Sequence, residues 1–284
     1  MLIAHKPLQD PEIVNKLFEI VRAVDYDLVD IDSWSTQPHV EQFCSWIKQG
    51  SYNTIVGLES FPYAALCAGT SDAISTFIAR NNKRRIRFSR AEFTLSKIVC
   101  NSMQLDWAFL EDADLEHNDA VVVSFPFSGN GRSHPSYNKL ITTCERLQIP
   151  VCVDAAYLGI GFGLHIVLTS PCITDVTVSL SKPFSTMLRH GIRFTRIRYD
   201  DTIQNNSETG ILPRINVVTA TELMKLFPQD YIITKYHSKY QTICHKLNLM
   251  PTNTITLASG TTDQYSEFVR GSYVRICLTD ELLS

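Results

Sequence analysis

Val151-Cys152-Val153-Asp154-Ala155-Ala156-Tyr157 reads as a short apolar β-strand that ends in a carboxylate and, three residues on, a phenol. An aspartate at a buried strand end is unfavourable by on the order of several kcal/mol unless a cation or hydrogen-bond donors meet it. The same residue can equally cap the following turn. Working outward, similar apolar runs occur at Arg85-Ile86-Arg87-Phe88, Ala120-Val121-Val122-Val123-Ser124, Pro150–Val153 and Asp175-Val176-Thr177-Val178-Ser179. Between them Thr70–Ala79, Thr94–Ser102 and Ser136–Leu147 carry helical spacing. Short apolar strands alternating with helices predict an α/β chain with a mostly parallel sheet and helices on both faces, and ligands on such sheets gather at the carboxyl ends of the strands.

The flanks are less regular. Ile13, Leu17, Ile20, Val21 and Val24 predict a helix over 11–24, with Asp10 and Pro11 as cap and first-turn residues, and a second helix is expected over Val40–Lys48. Gly50, Asn53 and Gly57 suggest a loop, as does the polar stretch Asp200–Gly210. Tyr231–Leu247 reads as a helix, and Thr254–Leu257 and Tyr273–Leu278 as strands.

Composition narrows the function. The 284 residues, 44% hydrophobic, suffice for a large core. With 26 basic against 29 acidic residues the net charge is −3, which argues against a nucleic-acid binder. The single basic cluster, Lys83, Arg84, Arg85 and Arg87, has no interleaved aromatics and reads as a solvated face or turn. Eight cysteines show no CxxC pair or regular spacing, so neither a metal site nor a disulfide framework is expected, and a reducing cytoplasm is the default compartment. The stretch Met1–Pro7 lacks the apolar character of a signal peptide, and no apolar run is long enough to cross a membrane.

Three segments concentrate the chemistry. Ser179-Leu180-Ser181-Lys182-Pro183-Phe184 puts a lysine just past a strand end between small hydroxyl residues, with Arg189 and Gly191 following. Taken alone, that lysine can be an ordinary surface residue. The second segment is the Asp154–Tyr157 element. The third, Ala68-Gly69-Thr70-Ser71-Asp72, opens a helix with glycine and hydroxyl residues, whose free N–H groups suit a phosphate dianion. Gly159-Ile160-Gly161-Phe162-Gly163 lacks the spacing of a dinucleotide loop.

In this order, the segments resemble those of the fold-type-I aminotransferases over roughly residues 50–196 and again at the C-terminus. The SLSK…LRHG stretch looks most like the branch containing histidinol-phosphate aminotransferase. The resemblance implies a mostly parallel sheet of the seven-stranded type in a large domain over 50–200, with 1–49 and 201–284 forming a small α+β domain. It implies pyridoxal 5′-phosphate (PLP) held as a Schiff base by Lys182, Asp154 against the pyridine nitrogen, and Tyr157 on the ring oxygen. Gly69, Thr70, Ser71, Ser179 and Arg189 would take the phosphate, and Phe93 the ring face. The interval from Lys182 to Arg189 is one residue shorter than usual. Where the family has a PxNPTG-like turn this chain has Pro126-Phe127-Ser128-Gly129-Asn130-Gly131, so that either Ser128 or Asn130 can stand for the asparagine. Arg275 corresponds to the arginine that forks onto the substrate's α-carboxylate, and Tyr52 to the tyrosine that reaches the partner subunit's phosphate. The implied activity is amino-group exchange between an amino acid, or an amino-phosphate compound, and a 2-oxo acid by a homodimer. A PLP-dependent decarboxylase or lyase, or a degenerate PLP-binding protein, shares the fold.

Overall fold

The protein, seen here as a computed structural model, is described over residues 6–24, 34–184 and 187–284. Met1–His5 of the N-terminal stretch lie outside the described residues. Asp10 opens α1 (Pro11–Ala23) by accepting the backbone N–H groups of Glu12 and Ile13, both at 3.0 Å. There follow α2 (Gln37–Lys48), β1 (Thr54–Val56), β2 (Tyr63–Cys67), α3 (Thr70–Arg80), β3 (Arg85–Phe88) and α4 (Leu95–Ser102). Next come β4 (Trp107–Phe109), β5 (Asp119–Ser124), α5 (Tyr137–Arg146), β6 (Val151–Ala155), β7 (His165–Val167), β8 (Ile173–Ser179) and β9 (Gly191–Thr195).

Seven of these strands form one sheet in the order β2-β9-β8-β6-β5-β3-β4. The pairs β3·β4, β3·β5, β5·β6 and β6·β8 are parallel, whereas β9 is antiparallel to both β8 and β2. Reversing direction twice restores it, so β2 runs with the rest and β9 alone opposes them. The residue-by-residue alternation of a strand then divides the core. Ala120 and Val122 of β5 join Ile74, Phe77, Ile78 and Cys100 of α3 and α4 on one face, while Val121 and Val123 join the larger cluster on the other. Both faces are covered, as the apolar runs predicted.

After β9 the chain forms α6 (Thr202–Thr209), α7 (Arg214–Leu226) and α8 (Tyr231–Lys246). It then forms β10 (Met250–Pro251), β11 (Leu257–Ser259), β12 (Val269–Arg270), β13 (Tyr273–Val274), β14 (Ile276–Cys277) and α9 (Thr279–Leu283). The larger apolar cluster runs from α1 and α2 through the sheet to α7 and α8, drawing in Leu17, Trp46, Val153, Leu223 and Tyr240. Among the described residues no helix is long and apolar enough to cross a membrane.

Several local expectations need correction. Asp200–Gly210 is not a loop: Asp201 accepts the Gln204 N–H at 3.0 Å and starts α6, which Gly210 ends at φ +72°. With Ile203 as its only large apolar residue, α6 has too little hydrophobic periodicity to show in the sequence, and it is held by ion pairs such as Arg193–Asp201 at 2.5 Å and Arg198–Glu208 at 2.6 Å. The Thr54–Val56 part of the loop expected around Gly50–Gly57 pairs in parallel with His165–Val167. Thr254 makes an isolated antiparallel bridge to Gly161, 255–256 form a turn, and the strand begins only at Leu257. Side-chain hydroxyls cause this: Thr252 Oγ1 donates to Leu257 O at 2.7 Å and Thr254 Oγ1 to Gly131 O at 2.9 Å, competing with a strand ladder. The strand expected over Tyr273–Leu278 is interrupted at Arg275, between β13 and β14.

The basic cluster is also more than a solvated face. Arg87 is fully buried and pairs with Asp119 at 2.8 Å, while Arg85 reaches the same carboxylate at 2.7 Å. Removing one partner of a buried pair leaves the other charge uncompensated. Asp119→Ala should therefore cost about 3–5 kcal/mol of folding stability in urea unfolding. A loss of only a few tenths would show that the carbonyls of Asp114 and Phe109, which also accept from Arg87, suffice.

Candidate active site

Parallel strands align their carboxyl ends, and here the chain uses that edge. Cys67 ends β2 and leads through Ala68 and Gly69 into α3, Ser124 ends β5, Asp154 sits near the end of β6, and Ser179 ends β8. Because β9 runs the other way, its first residue, Gly191, lies at this same edge, paired with both Cys67 and Ser179. A cavity of about 450 Å³ opens there. That lies in the range of roughly 300–1,000 Å³ usual for small-molecule sites.

Of the residues singled out in the sequence, Gly69, Thr70, Ser71, Phe93, Ser128, Asp154, Tyr157, Ser179, Lys182, Arg189 and Arg275 all line this cavity. Lys182 Nζ lies 5.2 Å from the centre of the Tyr157 ring. Asp154 is buried, and its Oδ1 accepts the Ala156 N–H at 3.0 Å. Burial pushes its pKa up to about 6, against the opposing pull of that N–H, the Thr70 hydroxyl and the Lys182 ammonium.

Along the same cavity wall the geometry at the start of α3 suits an anion. Gly69 has φ +80° and ψ 175°, a conformation open essentially to glycine alone, and no side chain caps the N-terminus of α3. A Cβ added to Gly69 would lie 3.6 Å from Ser179 Oγ and 3.9 Å from Ser181 Oγ, so the glycine keeps a hollow between the helix start and two hydroxyls. Arg189, exposed and itself at φ +41°, borders the same cavity.

Two expected residues stand elsewhere. Asn130 is buried outside the cavity, its Oδ1 occupied by the Arg132 N–H at 2.9 Å, so Ser128 is the member of that turn that reaches the site. Tyr52 is 41% exposed and does not line the cavity of its own chain. Conversely, the sequence reading passed over Arg270 and Glu92. Arg270 lines the cavity from the β12–β13 hairpin, five residues before Arg275, and forms no ion pair among the described residues. Glu92 is buried behind Phe93, with burial raising its pKa to about 7 against hydrogen bonds from Ser124. An acidic residue between Ala91 and Phe93 carries no sequence signal of burial; only the fold reveals it. All eight cysteines are free, seven of them buried, and no cluster of metal-ligating side chains occurs among the described residues.

No family model and no curated protein sequence matches the chain. Solved structures do. A tyrosine aminotransferase from Leishmania infantum matches over 97% of this chain and 88% of its own, at 14% identity and a TM-score of 0.64. A PLP-bound C-S lyase from Staphylococcus hominis matches over 100% and 89%, at 11% identity and 0.66. The L-threonine-O-3-phosphate decarboxylase from Porphyromonas gingivalis matches over 99% and 95%, at 13% identity and 0.63. The chain has the type I fold of PLP-dependent enzymes. Because the three type I structures carry out three different reactions, the fold leaves the reaction open and the side chains must decide it.

The raised pKa of Asp154 has a consequence for stability. The folded state binds this proton more tightly than the unfolded chain, whose aspartate titrates near its model value of 3.8. Stability should then fall as pH rises from about 4 to about 6 and level off above. Comparing urea unfolding of the native protein with Asp154→Asn should show the variant gaining stability relative to the native chain across that window. A constant difference between the two from pH 4 to 7 would show that Asp154 is not desolvated as described.

Proposed function

We propose that the protein is a PLP-dependent enzyme, and within that class an aminotransferase that moves an amino group between an amino acid and a 2-oxo acid. The observation that carries the reading is the meeting, in one cavity, of a lysine, a buried carboxylate, a phenol and an uncapped helix start. The donor set fits the cofactor. Gly69, Thr70 and Ser71 at the start of α3, with Ser179 and Arg189, would hold its phosphate in the hollow that a Cβ at residue 69 would fill. Lys182 would be its covalent attachment point, Phe93 would lie on its ring, and Ser128 and Tyr157 would face its ring oxygen. Asn130, which does not line the cavity, is left out of this set. Once bound, PLP supplies an electron sink for charge developing at the substrate's Cα.

What the chain's own residues contribute follows from their placement. Asp154, desolvated, favours a cation beside it and would keep the heterocycle's nitrogen protonated. With its amine free, Lys182 would carry a proton from the substrate's Cα, the Tyr157 ring limiting where its Nζ can swing. Arg275 points one guanidinium N–H at Ser128 O, 2.7 Å away, from a cavity wall it shares with Arg270, and would fork onto a substrate carboxylate. The likeness of Ser179–Lys182 and Leu188–Gly191 to the histidinol-phosphate aminotransferase branch favours transamination and admits amino-phosphate substrates. Tyr52 belongs to this reading only in a homodimer, where its exposed ring would reach the partner's site.

The protein supplied with PLP, a panel of amino acids and 2-oxoglutarate should generate glutamate with at least one donor. Lys182→Ala should lower that rate by several orders of magnitude, and Arg275→Ala should raise KM for amino acids far more than for simple amines. Carbon dioxide release without glutamate would assign decarboxylation, and release of a side-chain fragment would assign a lyase. Turnover at the native rate in Lys182→Ala would contradict the reading altogether.

A further inference from the structure

Glu92 is the one buried carboxylate at the site that this reading leaves without a task. It does not line the cavity, yet three parts of the wall hang from it. Its Oε1 accepts the Ser124 N–H at 2.8 Å, and its Oε2 accepts the Ser124 hydroxyl. That hydroxyl has one hydrogen; with it committed to Glu92, its lone pairs face the Ser128 N–H, which donates to Ser124 Oγ at 2.7 Å. Ser128 then presents its carbonyl to Arg275 Nη1 at 2.7 Å. Glu92's own carbonyl accepts Arg270 Nη2 at 2.6 Å, and the next residue is Phe93. Ser124 is also the cross-strand neighbour of Asp154.

Resting on the function proposed above, we infer that Glu92 is a positioning residue: by clamping Ser124 it sets the 124–128 turn, and through the Ser128 carbonyl it aims Arg275 at the substrate's carboxylate. The arrangement needs an acceptor at both carboxyl oxygens. A glutamine keeps the acceptor for the Ser124 N–H but turns the second oxygen into a donor facing a hydroxyl that already receives one N–H, so the Ser124 hydrogen loses its partner. Charge and position act here with opposite signs. Asp154 from β6 and Arg270 from β12 are the charged groups that bear on Glu92, and Arg275 stands beyond Ser128. Above about pH 7, where Glu92 is ionised, deleting its charge near two cavity arginines strengthens anion binding by Coulomb attraction alone, whereas loss of positioning weakens it, so the titration below is run at pH 8.

Propionate, a carboxylate with no amine, tests this by calorimetric titration of the protein, so the outcome does not depend on catalysis. Native protein should bind it, and Glu92→Gln should weaken binding about tenfold, as loss of a hydrogen bond to a charged group does. Ser124→Ala, which cuts the relay and keeps the charge, should weaken it similarly and serves if the glutamine variant does not fold. In an Arg275→Lys background, where the guanidinium that donates to the Ser128 carbonyl is gone, Glu92→Gln should add less than a twofold further loss. Unchanged or tighter binding in Glu92→Gln, a loss that multiplies independently with Arg275→Lys, or no propionate binding by the native protein would each overturn the inference. The fate of Lys182 toward PLP is read separately, so failure of the broader function and failure of the Glu92 role remain distinct results.

Discussion

A carboxyl group sealed near the end of a buried strand stays charged only if a cation or a set of donors comes to it, and Asp154 has been placed under that constraint. Burial lifts its pKa to about 6 even with the Ala156 N–H, the Thr70 hydroxyl and Lys182 working the other way. A positive group brought beside it would be favoured for the same reason. Around the same cavity stand an amine beyond β8, a phenol three residues after the aspartate, and the glycine-opened start of α3 where β2 ends.

The fold makes this economical. Six strands running one way bring the ends of β2, β5, β6 and β8 to a common edge, although the residues they carry are more than a hundred positions apart in sequence. Reversed β9 closes the gap between β2 and β8, and Gly191 is tight enough there that a Cβ would come within 2.9 Å of Gly69 Cα. The last part of the chain adds the remaining wall: the β12–β13 hairpin and the break before β14 deliver Arg270 and Arg275 to a site whose other members lie on strands of the large sheet or in the segments next to them. Such an assembly cannot be divided into a binding half and a bystander half, since the 124–128 turn joins the two through Arg275.

Much of this was legible in the residues. The apolar runs of β3, β5, β6 and β8 declare themselves because a strand covered on both faces has no polar alternation to blur it. The Lys182, Asp154 and Gly69 segments stand at the ends of such runs, where a parallel sheet must bring them together. What stayed hidden depends on interactions distant in sequence. α6 is held by ion pairs to β9 and the residues following it, and the bend over 252–256 by hydroxyls of residues whose β-branching argues for a strand. Arg87 reads as surface in the sequence because Asp119, its partner, lies 32 residues away. Glu92 and Arg270 went unremarked because a charge beside an aromatic residue, or in a hairpin, has meaning only once the cavity is drawn. That Ser128 lines the cavity and Asn130 does not is a matter of how the 126–131 turn folds, which its spacing does not carry.

The account stands or falls on the reactivity of one amine. Borohydride reduction of the protein mixed with PLP, followed by peptide mapping, should fix a single phosphopyridoxyl label on Lys182, and an excess of inorganic phosphate competing for the Gly69–Ser179 hollow should slow the labelling. Labelling spread over exposed lysines with Lys182 unmodified would contradict it.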